Sequence, residues 1–272
     1  MNIRAGLSGF SLAFLTTVVG GAQVQNLPRA TDGHGGFGLP DQSGRRLLVI
    51  PNLAQPGLLK TALCSGGRRV AVQFERRQVE GANNARRETS RDFDRLPGSA
   101  FTVLGNPVDP DVPCFLASEA MLAGSAVLSI AAPEGPGACL QRGRFATLRD
   151  RPVIHCWPIA RMTPEKQVAL LEFDRRGKDA LASLVFVDGS RTMFADHPAE
   201  FRGAGLDLWR VDDGGALWPE GFRVVCALQR GGWYALGIAW QGAEGQSLSL
   251  WICEGSERFT EVIKDYWYQA PI

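Results

Sequence analysis

The chain carries three histidines, His34, His155 and His197. A serine or cysteine nucleophile needs a neutral imidazole to take its proton, so hydrolysis of that kind has to run through one of them. His155 adjoins Cys156, and His197 adjoins Asp196. On a strand, however, adjacent side chains point to opposite faces, so Asp196-His197 does not by itself make a dyad. The remaining carboxylates of this region divide in two. Asp188-Gly189 and Asp212-Asp213-Gly214-Gly215 read as turns, while Asp207, in Gly-Leu-Asp-Leu-Trp, lies between apolar residues. His155 and His197 are therefore the catalytic candidates that the residues themselves offer. No Asp-x-Asp-x-Asp-Gly loop, glycine-lysine phosphate loop or dinucleotide fingerprint occurs, and no two cysteines have metal-ligand spacing. Neither a metal nor a cofactor is expected.

These residues need elements to position them, and the punctuation of the chain predicts strands. Thirty-two glycines and 16 prolines separate many short apolar runs. Leu47–Ile50 reads as a buried strand, Val70–Phe74 alternates, and Phe101–Leu104 and Ala126–Ile130 are short and apolar. Val168, Leu170 and Glu172 read as one strand of a hairpin that turns at Arg175–Lys178 into Leu181–Val187, and Asp188-Gly189 closes the next turn. Three strands follow in succession at Phe222–Leu228, Trp233–Trp240 and Ser247–Cys253, with turns at Gly231-Gly232 and Gly242–Gly245. Phe259, Val262, Ile263, Tyr266 and Trp267 recur at three- and four-residue spacing, which predicts an amphipathic C-terminal α-helix over Glu257–Tyr268. The expected fold is all-β, a mainly antiparallel sandwich or barrel, with a double barrel as one form of it, closed by that helix.

The first 22 residues look like an export leader. Arg4 precedes an uncharged apolar stretch from Leu7 to Val19, and Gly20-Gly21-Ala22 offers the small residues that a signal peptidase admits. That stretch is too short to span a bilayer, and no transmembrane segment is expected in the mature chain. Cleavage after about Ala22 leaves 272 − 22 = 250 residues for a periplasmic or secreted protein. Residues 23–44 read as a flexible arm and 45–272 as the β-rich globular region, with a subdomain seam near 152–164. Six cysteines remain, Cys64, Cys114, Cys139, Cys156, Cys226 and Cys253, and an even number in an exported chain reads as disulfides. Of the fifteen pairings, neighbours (64–114, 139–156, 226–253) close the shortest loops. With 29 basic and 28 acidic residues, the chain has no field to attract nucleic acid. Arg76, Arg77, Arg86, Arg87, Arg91 and Arg95 alternate with acids, as in a solvated loop or hairpin tip.

All seven tryptophans lie beyond residue 156. They predict either a core under the terminal helix, with Trp233 and Trp251 buried, or an aromatic face for a protein or glycan. Trp209, Trp218 and Trp240 are the candidate contacts.

Two stretches resemble trypsin-like proteases. His155-Cys156, with Cys139 before it, is similar to that family's disulfide-flanked histidine, and Asp207 then stands for its buried aspartate. Val224-Val225-Cys226 followed by Gly232-Trp233-Tyr234, Gly237, Trp240 and Gly242 is similar to the family's last third, before its terminal helix. That register puts Glu220 at the nucleophilic serine, which implies a catalytically dead relative. The two registers exclude each other. Cys64-Ser-Gly-Gly also resembles the Cys-x-x-Gly strand openings of small periplasmic lysozyme inhibitors. The residues point first to an exported, disulfide-stabilised, non-catalytic binding or inhibitor protein. The alternative is an exported hydrolase or a degenerate trypsin-like protein.

Overall fold

The structure, a computed structural model, describes residues 35–50, 52–82, 87–201, 207–208, 217–255 and 257–270. Residues 1–22, read as an export leader, and His34 lie outside them. Six strands close a barrel: β1 (Gly35–Pro40), β2 (Arg46–Val49), β3 (Leu59–Cys64), β4 (Arg68–Gln78), β5 (Gly98–Leu104) and β6 (Cys114–Ser118), in the order β1-β2-β5-β4-β3-β6. Residues 35–40, which composition assigns to the arm, thus supply the strand that completes the ring, because Phe37 and Leu39 are apolar enough to be buried.

After β6 come a short helix α1 (Glu119–Leu122), the two-residue strand β7 (Ala126–Val127) and helix α2 (Arg142–Arg149). Then β8 (Val153–Arg161), β9 (Lys166–Phe173), β10 (Asp179–Asp188), β11 (Arg191–Phe201) and β12 (Asp207–Leu208) form an antiparallel sheet in the order β12-β11-β10-β9-β8. Finally β13 (Phe222–Arg230), β14 (Trp233–Gln241), β15 (Gly245–Glu254) and β16 (Thr260–Tyr268) form a sheet with β7, ordered β16-β15-β14-β13-β7. The all-β expectation holds, and the β9–β10, β10–β11, β13–β14 and β14–β15 hairpins fall where their turn residues place them. The expected seam, near 152–164, contains strand β8. The chain leaves the barrel at Ser118 instead.

The C-terminal helix is not formed. Residues 260–268 are β16, paired antiparallel to β15. Leu250 faces Ile263 while Trp251 faces Glu261, so Val262 is an extra, bulged residue. A bulge moves the inward alternation by one position, which turns period two into an apparent three-and-four spacing. A helix not expected from the sequence, α2, forms over Arg142–Arg149, anchored by fully buried Phe145.

The units stack in layers. Apolar side chains fill the barrel, including Leu47, Leu59, Phe101 and Leu116. The barrel's outer Phe37, Leu48, Phe93 and Phe115 pack on one face of the β13–β16 sheet, against Val225, Ala235, Leu250 and Trp267. The other face of that sheet, with Tyr234, Trp240 and Trp251, packs on Leu170, Leu184 and Met193 of the β8–β12 sheet. The far side of the latter is covered by Phe145 and Ala138. The β13–β16 sheet is therefore covered on both faces, and most of β14 is buried. Trp233, Trp240, Trp251 and Trp267 are all core residues.

Disulfides join Cys64 to Cys114 and Cys139 to Cys156. The third expected pair, Cys226–Cys253, does not form, and both residues are buried thiols. Cys226 faces the barrel and Cys253 faces the β8–β12 sheet. Opposite faces of one sheet put their side chains out of bonding reach.

Candidate functional site

The predicted residues fall in separate places. His155 sits on the edge strand β8 with its side chain 59% exposed. Its Nδ1 lies 2.9 Å from Glu172 Oε2, and its ring stacks on Trp157 at 5.1 Å. Asp207 belongs to β12, at the opposite edge of the same five-stranded sheet. Four strand spacings of about 4.8 Å separate the two strands by roughly 19 Å, so the structure does not bring His155 and Asp207 together.

His197 and Trp240 do meet. His197 is buried on β11, with its ring edge-on to Trp240 at 5.1 Å, Trp251 at 5.5 Å and Phe222 at 6.1 Å. Ser249, Glu261 and Lys264 line the same small cavity, and Ser249 Oγ donates to Glu261 Oε1 at 2.5 Å. The cavity measures about 20 Å³, room for one water and not for a substrate. Trp218 is half-buried beside the turn Pro219–Gly221, which also carries exposed Glu220. Trp209 lies outside the described residues.

A larger cleft, of about 220 Å³, opens where the barrel meets the ends of β14, β15 and β16. Sequence reasoning missed it. One wall is the β5–β6 connection, where Pro110, Asp111 and Pro113 face the opening. Proline fixes φ, so three prolines (107, 110 and 113) make this wall stiff. It is also held against the β1–β2 turn, since Val108 N–H donates to Gly44 O at 2.8 Å. Gly44 has φ +64°, and a Cβ there would lie 2.0 Å from Val108 O, so only glycine permits the contact. Thr89 and Ser90 form the second wall, and Leu39 and Pro40 the rim of the barrel.

The third wall is built of carboxamides. Gln246 Nε2 donates to Gln241 Oε1 at 3.2 Å, Gln241 Nε2 donates to Gln269 Oε1 at 3.3 Å, and Gln269 Nε2 donates to Glu88 O at 3.4 Å. The β14–β15 turn positions the first two, with Gly242 N–H donating to Gly245 O at 2.7 Å. A Cβ on Gly245 would lie 2.2 Å from Trp267 O, so glycine lets β16 close this wall. Trp267 lies at its base, 1% exposed.

Two carboxyl groups stand behind the cleft. Burial pushes Asp265 up to about 6, against the Tyr266 backbone N–H and the Trp267 indole. Burial also raises Glu88, opposed by the Tyr268 N–H, and the charge of Asp265 raises it further. Neither lines the opening. The described side chains that do are carboxamides, hydroxyls, the carboxylate of Asp111 and apolar groups, with no lysine or arginine among them.

Glutamines 241 and 246 around their glycine turn, and Asp111 between prolines, were the local signals for two of the walls. Their convergence with Thr89 and Gln269 is tertiary. Among the described residues no group of three or more potential metal ligands occurs, and no helix is long and apolar enough to cross a membrane. No known protein family, characterised protein or solved structure matches the chain.

Proposed function

We propose that the protein is an exported binding protein that holds a small polar molecule in the cleft between the barrel and the C-terminal sheet. The observation that carries this reading is the joined chain of Gln246, Gln241 and Gln269 lining a cavity of about 220 Å³. Carboxamides both donate and accept, and their bonds to one another fix which atoms remain for a ligand. The stiff proline wall opposite gives a largely pre-formed site, the usual condition of small-molecule pockets. Export is supported by the leader-like residues 1–22 and by two disulfides, which persist in oxidising compartments.

The test is a thermal-shift screen of the mature, oxidised protein against a library of polar metabolites. A ligand of this cleft raises the Tm of the wild-type protein and leaves that of Gln246→Leu unmoved. If every stabilising compound acts equally on both proteins, the ligand site lies elsewhere.

A further inference from the structure

We infer that the ligand of this cleft is an uncharged sugar ring; the inference rests on the reading of the cleft as the binding site.

Charge narrows the class first. Among the described residues, Asp111 is the one charged side chain lining the opening. It repels phosphate, carboxylate and sulfate groups, and no lining cation offsets it. A neutral ligand rich in donors matches better, because an ionised carboxylate only accepts and takes two hydroxyl hydrogens from adjacent carbons.

The nearby backbone narrows it again. A peptide bound by its main chain needs free backbone N–H and C=O groups along an edge. Here they are turned inward: Gly242 N–H donates to Gly245 O, and the N–H groups of Gln269 and Ala270 both donate to Glu244 O at 2.8 Å. Recognition therefore falls to side chains. Gln246 and Gln269 keep donor and acceptor capacity for a ligand, while Gln241 is spent on them and on the Gly242 and Gly245 carbonyls. Ser90 adds a hydroxyl, and Thr89 an oxygen whose own hydrogen goes to Asp92. A ring of hydroxyls, each donor and acceptor at once, is the complement of such a lining. The prolines and Leu39 face its C–H surfaces.

Size gives the last limit. Drug-sized ligands occupy pockets of about 300–1,000 Å³, so 220 Å³ admits one ring rather than an oligosaccharide. Trp267 is too enclosed to offer a stacking platform; it closes the base.

Saturation-transfer NMR on the mature, oxidised protein tests this. The probes are glucose, galactose and N-acetylglucosamine, their anionic counterparts glucuronate and glucose 6-phosphate, and glycylglycine. At least one neutral sugar should bind, with loss of its signal in both Gln246→Leu and Asp111→Asn. The anions should bind roughly tenfold more weakly or not at all. If an anion, glycylglycine or another library compound binds in a manner sensitive to Gln246→Leu while the neutral sugars do not, the sugar assignment is overturned and the cleft stands. If nothing binds with that sensitivity, both fail. Circular dichroism of each variant verifies that the fold is retained.

Discussion

Glu88 and Tyr268, 180 positions apart, hold each other by two hydrogen bonds: Glu88 N–H donates to Tyr268 O, and Tyr268 N–H donates to Glu88 Oε2, both at 2.7 Å. Thr89 and Ser90 follow one partner and Gln269 the other, so the two hydrogen bonds join two walls of the cleft. Replacing Glu88 by Ala removes the acceptor for the Tyr268 amide. Hydrogen exchange at Tyr268 should then speed up roughly tenfold, the equivalent of one lost hydrogen bond, whereas Glu88→Gln, which keeps an acceptor oxygen, should exchange nearly as wild type. Equal rates in all three would show that the clasp does not hold this end of β16.

Asp265 supplies a pH dependence of known sign. Its carboxyl titrates near 3.8 when exposed and near 6 when folded. The folded state therefore binds its proton more tightly, and stability falls as pH rises from about 4 to about 6. Above that range the charged group stays buried beside Glu88 at a cost of up to about 3 kcal/mol. Asp265→Asn should raise the Tm at pH 7.5, leave it unchanged at pH 4, and flatten the profile between. A variant less stable at pH 7.5 would contradict this.

The two disulfides should differ in weight. Cys64–Cys114 closes a separation of 50 residues and Cys139–Cys156 one of 17. Loop entropy alone gives about 4 and about 3 kcal/mol respectively, so the serine pair at 64 and 114 should lower the urea midpoint more than that at 139 and 156. Alkylation followed by mass spectrometry should find Cys226 and Cys253 modified after denaturation and protected before it. Burial pushes the Cys226 thiol up to about 12, which makes it a poor nucleophile as well as an inaccessible one.

Gly237 on β14 pairs with Cys226 on β13, and a Cβ there would fall 2.6 Å from Cys226 Sγ. Gly237→Ala should destabilise the protein by about 1–3 kcal/mol through overpacking. In the Cys226→Ala background the same substitution should cost clearly less, and the difference is the coupling between the two sites. Equal costs in both backgrounds would mean that the sulfur is not what the new methyl group meets.

The hairpins were legible because their signals are local: Asp188-Gly189 and Gly231-Gly232 each specify a turn between alternating strands. β16 was misread because the extra residue Val262 hides its period. Helix α2 gave no warning: Arg142–Arg149 contains Gly143 and Thr147, lacks a capping side chain at Gln141, and owes its form to burial of Phe145. The aromatic expectations divided in the same way. Apolar strands foretold that Trp233 and Trp251 are buried, and the same rule encloses Trp240. The cleft was invisible because its walls come from residues 39–40, 89–90, 110–113 and 241–269, and no spacing along the chain joins them.

Each sulfur crosslink ties its own half: one lies within the barrel, the other between β8 and the turn preceding α2. Neither disulfide spans the seam between barrel and sheets, which is held by the apolar contacts of Phe37, Phe115, Leu250 and Trp267 and by the Glu88–Tyr268 hydrogen bonds. The cleft is the mouth of that seam. A molecule seated there grips both halves at once, and so serves as a removable rivet whose occupancy raises the resistance of the whole chain to unfolding.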